Sequence, residues 1–536
     1  MKQVLIVLPL ILGLGCAPDP APLAETEARF LDFLDAANAA GYIESGAVAQ
    51  YEYRDLAAWN ALLRERHEAL LASIETLDEE KLPAADAKAL AAIRVTLADY
   101  GEPGPAADES AALACKDATR KDLDRDDLSA ALTACFSEIG NKLQFEGGTI
   151  DRGGALGLLS ELEEPARRKA LFDAFRPLWT AINSANEADS PYRRLLLLAA
   201  KEEATNASGA AGAARAIDVS IEEVERWLLQ ILTAWRDANP PELVEPWDYR
   251  YAVGEANRAL APALADQNLL ALDHRYYLDL GVDLDALGVV YDIEARPDKS
   301  PLAYCDFLRR GRYVDGAWQP TIARVVGRYE ESDLGGLNEL VHENGHAVHI
   351  SAIRNRPAFT DWTDTIFTEA FADVPSWSVY EPAWQRKYLD TELPLAMSLR
   401  ALFGSVMLDV AWSLFEIRML REPALDPNVL WTAITQEYLR IRPHPELAWW
   451  AARVQLVSNP GYMVNYGLGS VLTAEMRQAT VAAIGPFDAG NPRWHEWTSE
   501  QLLRYGSEKS TRTLMAELLG RPLNADAVLA QLRRIN

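Results

Sequence analysis

Apolar residues recur at helical spacing over residues 26–40, 57–76 and 81–100, in stretches rich in Leu, Ala, Glu and Arg, which predicts three helices near the start of the chain. The same period returns at 163–185, 191–207 and 221–238, and again from 333 onward. Two segments break it. Residues 101–127, rich in Gly, Pro, Ala and Asp, read as a loop. The glycine-rich stretch 147–157 reads as the place where one lobe passes into the next. Between about 282 and 329 the pattern changes character. Val289-Val290-Tyr291-Asp292-Ile293 and Thr321-Ile322-Ala323-Arg324-Val325-Val326 are short and rich in β-branched residues, so a small sheet is expected there. No internal repeat is evident. The expected fold class is mainly α with one minor sheet, divided into an N-terminal helical region at 26–150 and a second region at 151–536.

Composition narrows the partners. Hydrophobic residues make up 49% of the 536 and charged residues 24%, as in ordinary soluble proteins. The formal net charge of −27 repels phosphate backbones, and no Lys/Arg-rich run offsets it. Nucleic acid is therefore not an expected partner.

The first residues add an address. Lys2 precedes an apolar run at 4–14, followed by Gly15-Cys16 and a polar, Pro-rich stretch. The run is too short to span a bilayer and suits a secretory signal. Small residues ahead of a single cysteine resemble the lipobox of bacterial lipoproteins, although Gly13 stands where Leu is usual. That resemblance implies a signal peptide at 1–16, acylation of Cys16, a linker at 17–25, and a protein on the periplasmic face of a bacterial membrane, touching the membrane through its lipid anchor alone. An ordinary cleaved signal with an incidental cysteine is the alternative. In an oxidising compartment Cys115 and Cys135, which flank the charged segment 116–127, can pair. Cys305 is then left as a buried thiol. No Cys-x-x-Cys pair is present to suggest a cysteine zinc site.

The chemistry lies in Asn338-Glu339-Leu340-Val341-His342-Glu343-Asn344-Gly345-His346-Ala347-Val348-His349. His342 and His346, four apart, share one face of a helix and can both reach one Zn²⁺. Glu343 then lies beside the metal and can address the attacking water rather than the ion. Asp333 can cap this helix, and Leu334, Leu337, Val341 and Val348 mark its buried stripe. With only seven histidines in the chain, such a pairing is uncommon by chance. Catalytic zinc needs a third protein ligand and an open position. Glu369 in Phe367-Thr368-Glu369-Ala370-Phe371-Ala372-Asp373 is the candidate. Asp373, one turn further on, can accept the free N–H of a ligand histidine. His349 reads as a packed or hydrogen-bonded histidine.

His-Glu-x-x-His followed some two dozen residues later by Glu-Ala-x-x-Asp resembles the gluzincin metallopeptidases. Within them it is most similar to the helical group of angiotensin-converting enzyme and thimet oligopeptidase. Pro246-Trp247-Asp248-Tyr249 and Gly461-Tyr462-Met463-Val464-Asn465-Tyr466 resemble thimet-oligopeptidase segments, so the likeness covers roughly 240–477. It implies a two-lobed helical body with a long cleft and the zinc helix on its floor. It implies substrate pairing along the strand at 321–326. It implies also that Tyr466, or Tyr462, donates a hydrogen bond to the oxyanion. The sequence departs from the thimet pattern at Val457, where a histidine is usual, and at Gly469, where a further tyrosine is. His444 is a loop histidine that could replace the missing imidazole, although a surface role is its simpler reading.

The expected function is hydrolysis of peptide bonds in short peptides, with one Zn²⁺ per chain and Glu343 as general base. One alternative is a dipeptide-releasing exopeptidase, which needs a cationic or Tyr-rich pocket that the sequence does not locate. The other is a catalytically silent, lipid-anchored binding protein on the same scaffold, against which stands the presence of His342, Glu343, His346 and Glu369.

Overall fold

The computed structural model describes residues 23–47, 56–101, 113–206, 209–294, 296, 299, 303–314, 316–329 and 332–535. The expected signal peptide 1–16 with Cys16, and most of the linker 17–25, lie outside the described residues. Helices dominate, as the pattern predicts. The first three run Ala24–Glu44, Leu56–Glu75 and Ala84–Tyr100. The stretch at 163–185 is two helices, Pro165–Asp173 and Arg176–Asn183. Pro177 has no N–H to carry the first helix onward and a φ suited to the first turn of the next.

The glycine-rich interruption at 147–157 holds the second strand of a hairpin and a short helix. Leu143–Phe145 pairs antiparallel with Gly148–Ile150 across a turn in which Glu146 (φ 48°) and Gly147 (φ 81°) are both left-handed. Asp151 then caps a helix, Arg152–Leu158, through a 2.9 Å bond from the Gly154 N–H. The main apolar core runs from Ala118 to Ile535 without a break at 150. A smaller core joins the first three helices to Ala358 and Phe359. Charged contacts stitch these helices to the rest: Arg310 bonds Asp35 and Asp361, and Arg356 bonds Glu27.

The sheet lies where the β-branched runs place it. Its order is Val290–Asp292, Ile322–Val326, Tyr304–Arg309, the first pair parallel and the second antiparallel. This corrects one expectation. Ile322–Val326 is the middle strand with both edges already hydrogen-bonded, so a substrate backbone has no free edge there. The β-ladder leaves one edge of Tyr304–Arg309 unpaired among the described residues.

Cys115 and Cys135 are joined by a disulfide, with Cα atoms 4.4 Å apart, and Cys305 is a buried free thiol. The helix Leu395–Arg421 is long and apolar enough to cross a membrane by length and composition, yet most of it is packed into the core.

Candidate metal centre

Two helices build the site. Leu334–Ala352 starts at Asp333, whose carboxylate accepts from the Gly336 N–H at 2.7 Å, and its stripe of Leu334, Leu337, Val341 and Val348 is fully buried. Thr365–Ser376 starts at Asp364, which accepts from Phe367 N–H at 2.9 Å. The helices meet at Gly345. A Cβ there would lie 2.9 Å from the Ala372 Cα, so any side chain would push the backbones apart. That close approach brings Glu369 to the two histidines.

Nε2 of His342 lies 3.5 Å from Oε2 of Glu369, and the ligand atoms of His342, His346 and Glu369 all fall within 4.8 Å of one another. Donors about 2.0–2.1 Å from a tetrahedral ion stand about 3.3 Å apart. The His342–Glu369 pair already has that spacing, and modest side-chain adjustment closes the set. Nδ1 of His342 lies 2.8 Å from Oδ1 of Asp373, which leaves Nε2 as the ligand atom, and Ser376 Oγ donates to the same carboxylate oxygen at 3.2 Å. Glu343 is 5% exposed, and its Oε2 has no hydrogen-bond partner among the described residues. Two imidazoles and one carboxylate, with an unengaged carboxylate beside them, fit the donor set that zinc takes in catalytic sites.

In the metal-free site the two histidines differ: against its burial, hydrogen bonds to Asp373 and Glu369 hold His342 well above its ordinary value, so a metal binding there displaces a proton. Burial holds His346 down at about 3, with the His342 charge adding, so its imidazole stays neutral as a ligand must. Glu369 is held at about 2 against its burial by its hydrogen bond to His342 and by the charges of His346 and His342. Burial lifts Glu343 to about 8; Glu339 and Glu369 add to this and His342 opposes it.

The site opens into a cavity of about 420 Å³. Glu339, His342, Glu343 and Glu369 form one side; Asp409, Arg453 and Tyr466 form another. Tyr466 Oη accepts from Gln455 Nε2 at 3.1 Å, and the Arg453 guanidinium stands 4.6 Å from its ring centre. The Tyr462 ring lies 5.7 Å from Tyr466 but outside the cavity lining. Burial raises both phenols, Tyr466 to about 12, so each stays a donor; the Glu369 charge adds to the rise at both. Buried Glu416 fixes the turn carrying them, accepting from Gly461 N–H and Met463 N–H at 2.8 Å each. Gly461 has φ 94°, and a Cβ there would lie 2.6 Å from the Gly209 Cα, so glycine is required on both counts.

Two other histidines fall away from the chemistry. His349 is fully buried among the rings of Trp362, Phe367 and Phe371. His444 bonds Glu446 and Glu245 at 2.7 and 2.8 Å and is not among the cavity residues, so it does not replace the imidazole missing at Val457. Sequence reasoning missed a cationic group beside the site. Arg453, in the cavity lining, pairs with Asp409 at 2.8 Å. These residues come from distant segments and share no spacing signal.

No protein-family model matches the sequence, and no curated protein matches it. Among solved structures, the chain is similar to the M32 carboxypeptidase from Deinococcus radiodurans R1. The TM-score is 0.53 at 16% identity, over 96% of this chain and 98% of that one. It is similar also to the structure of BsuCP, with TM-score 0.49 at 15% identity, over 95% and 96% of the two chains. The first likeness spans nearly the whole of both chains and establishes a shared, mainly helical fold.

Proposed function

We propose that the chain is a zinc metallopeptidase that hydrolyses short peptides from their C-terminal end. The observation that carries this is the convergence of His342, His346 and Glu369 on one point, beside the unengaged carboxylate of Glu343. Bound there, zinc supplies Lewis acidity, lowering the pKa of a water toward about 7 and polarising a scissile carbonyl. Glu343 accepts the attacking water's proton and returns it to the leaving amine. Asp373 holds His342 in the ligating tautomer. Tyr466, with Tyr462 behind it, donates toward the oxyanion.

The C-terminal preference is supported by Arg453 in the cavity wall, a guanidinium, paired with Asp409, that offers a positive charge to a peptide α-carboxylate. The fold shared with the M32 carboxypeptidase supports it. We also place the protein outside the cytoplasm, anchored through Cys16; the Cys115–Cys135 disulfide supports an oxidising compartment.

The test uses protein lacking residues 1–16, with peptides bearing free or amidated C-termini. The expected result is close to one zinc per chain, loss of activity with a chelator, and cleavage confined to free C-termini. Equal cutting of amidated peptides at internal bonds would return the reading to an oligoendopeptidase.

A further inference from the structure

Five carboxylates line the cavity, and four of them have an occupation. Glu369 completes the ligand set, and Glu343 is the proposed base. Asp373 holds Nδ1 of His342 at 2.8 Å, and Asp409 pairs with Arg453 at 2.8 Å. Glu339 is the fifth. It opens into the cavity and makes no ion pair among the described residues. Arg453 is the one permanent cation among the described lining residues, and Asp409 already engages it.

Glu339 stands one helical turn before Glu343, on the same face of Leu334–Ala352, and the cavity follows that face back through Asn338 to Gly335. From Gly335 to Glu343 the helix rises about 12 Å, so the cavity reaches well past the metal position. Two acceptors in this arm lack a cationic partner. Oδ1 of Asn338 is buried and has no hydrogen-bond partner among the described residues. The Glu339 carboxylate has the Tyr329 phenol beside it, a neutral donor that leaves its charge uncompensated. Burial, with the charge of Asp333 adding, raises the Glu339 carboxyl; His342 and that phenol oppose the rise.

Resting on the C-terminal reading above, we infer that Glu339 and Asn338 form a subsite for a basic side chain, Lys or Arg, on a residue flanking the C-terminal scissile bond. The ammonium or guanidinium donates to the Glu339 carboxylate and to Oδ1 of Asn338, and it supplies the charge that this arm of the cavity lacks. An acidic side chain in the same place meets two acceptors and a like charge. A neutral one leaves the carboxylate uncompensated.

The test is two peptide series on the zinc-loaded wild-type protein, with Lys, Gln or Glu placed last in one series and next to last in the other. The expected kcat/KM for Lys exceeds that for Gln by about tenfold or more at one of the two positions, carried mainly by KM, with Glu the poorest. Glu339→Gln should pull the Lys/Gln ratio toward one. Glu339→Lys should turn the preference toward Glu, which a purely structural role for Glu339 would not do. Should a variant fail to fold, the wild-type series alone still tests the preference. Gln or Glu peptides cleaved as well as Lys at both positions overturn the basic subsite and leave the exopeptidase reading standing. A Lys preference that folded, zinc-loaded Glu339→Gln retains in full overturns it equally. Internal cuts alone, or no cleavage, overturn both readings.

Discussion

Nδ1 of His342 stands 2.8 Å from Oδ1 of Asp373, one helical turn beyond Glu369 on the facing helix. The contact fixes which imidazole nitrogen faces the metal position. It also makes Asp373 separable from the ligands, since its loss leaves all three in place. Asp373→Asn should lower zinc affinity or turnover by about 10–100-fold without abolishing either. Zinc titration against a competing chelator measures this, and an unchanged affinity and rate would show the contact to be incidental.

Glu369 reaches the histidines only because Gly345 lets the two helices close on each other. Glu369→Ala should keep the fold, since this side chain points into a cavity rather than the core, and should lose most of the zinc. Metal analysis after gel filtration checks it. Full metal and full activity in this variant would mean that the third ligand lies elsewhere.

His349 gives a prediction in pH. Burial, with the charge of His346 adding, holds it at about 3, against about 6.5 in an unfolded chain. Between those values the unfolded chain binds a proton that the folded one refuses. Stability from this residue is therefore full above pH 6.5 and falls as pH drops, by up to about 1.4 kcal/mol per pH unit. His349→Phe, set among three aromatic rings, should remove that contribution. Urea unfolding of the metal-free wild type and variant at pH 7 and pH 4.5 should show the variant gaining ground at the lower pH. A difference independent of pH would mean that His349 is not held neutral.

The histidine pair and Glu343 were legible because a helix repeats its face every three to four residues, and Glu369 with Asp373 because the same rule applies one helix later. Arg453 was not: it reaches the cavity wall and pairs with Asp409 only through tertiary packing, and no local period joins it to the histidine motif. The hairpin at Leu143–Ile150 was hidden because Glu146 adopts a left-handed conformation that Asn or Gly would have advertised. The sheet lies at its β-branched runs, but the substrate pairing along 321–326 that the resemblance implied fails, because that strand is the middle one and its residues carry no signal of strand order.

Export rests on residues outside those described, so its test is chemical. Cys16→Ser should abolish lipid labelling and release the protein in soluble form from the cell envelope. An unlabelled wild type processed at another position would contradict the anchor. Peptide mapping without reductant should recover Cys115 joined to Cys135, and free thiols at both positions in exported protein would contradict the bridge.

The most direct test of the central claim is Glu343→Gln. The amide is nearly isosteric and leaves His342, His346 and Glu369 untouched, so the fold and close to one zinc per chain should survive. It cannot accept a proton from water. The cleavage rate should fall by at least about 10²–10⁴-fold, while peptide binding persists. A Glu343→Gln protein that holds zinc and cleaves peptides at the wild-type rate would contradict the account.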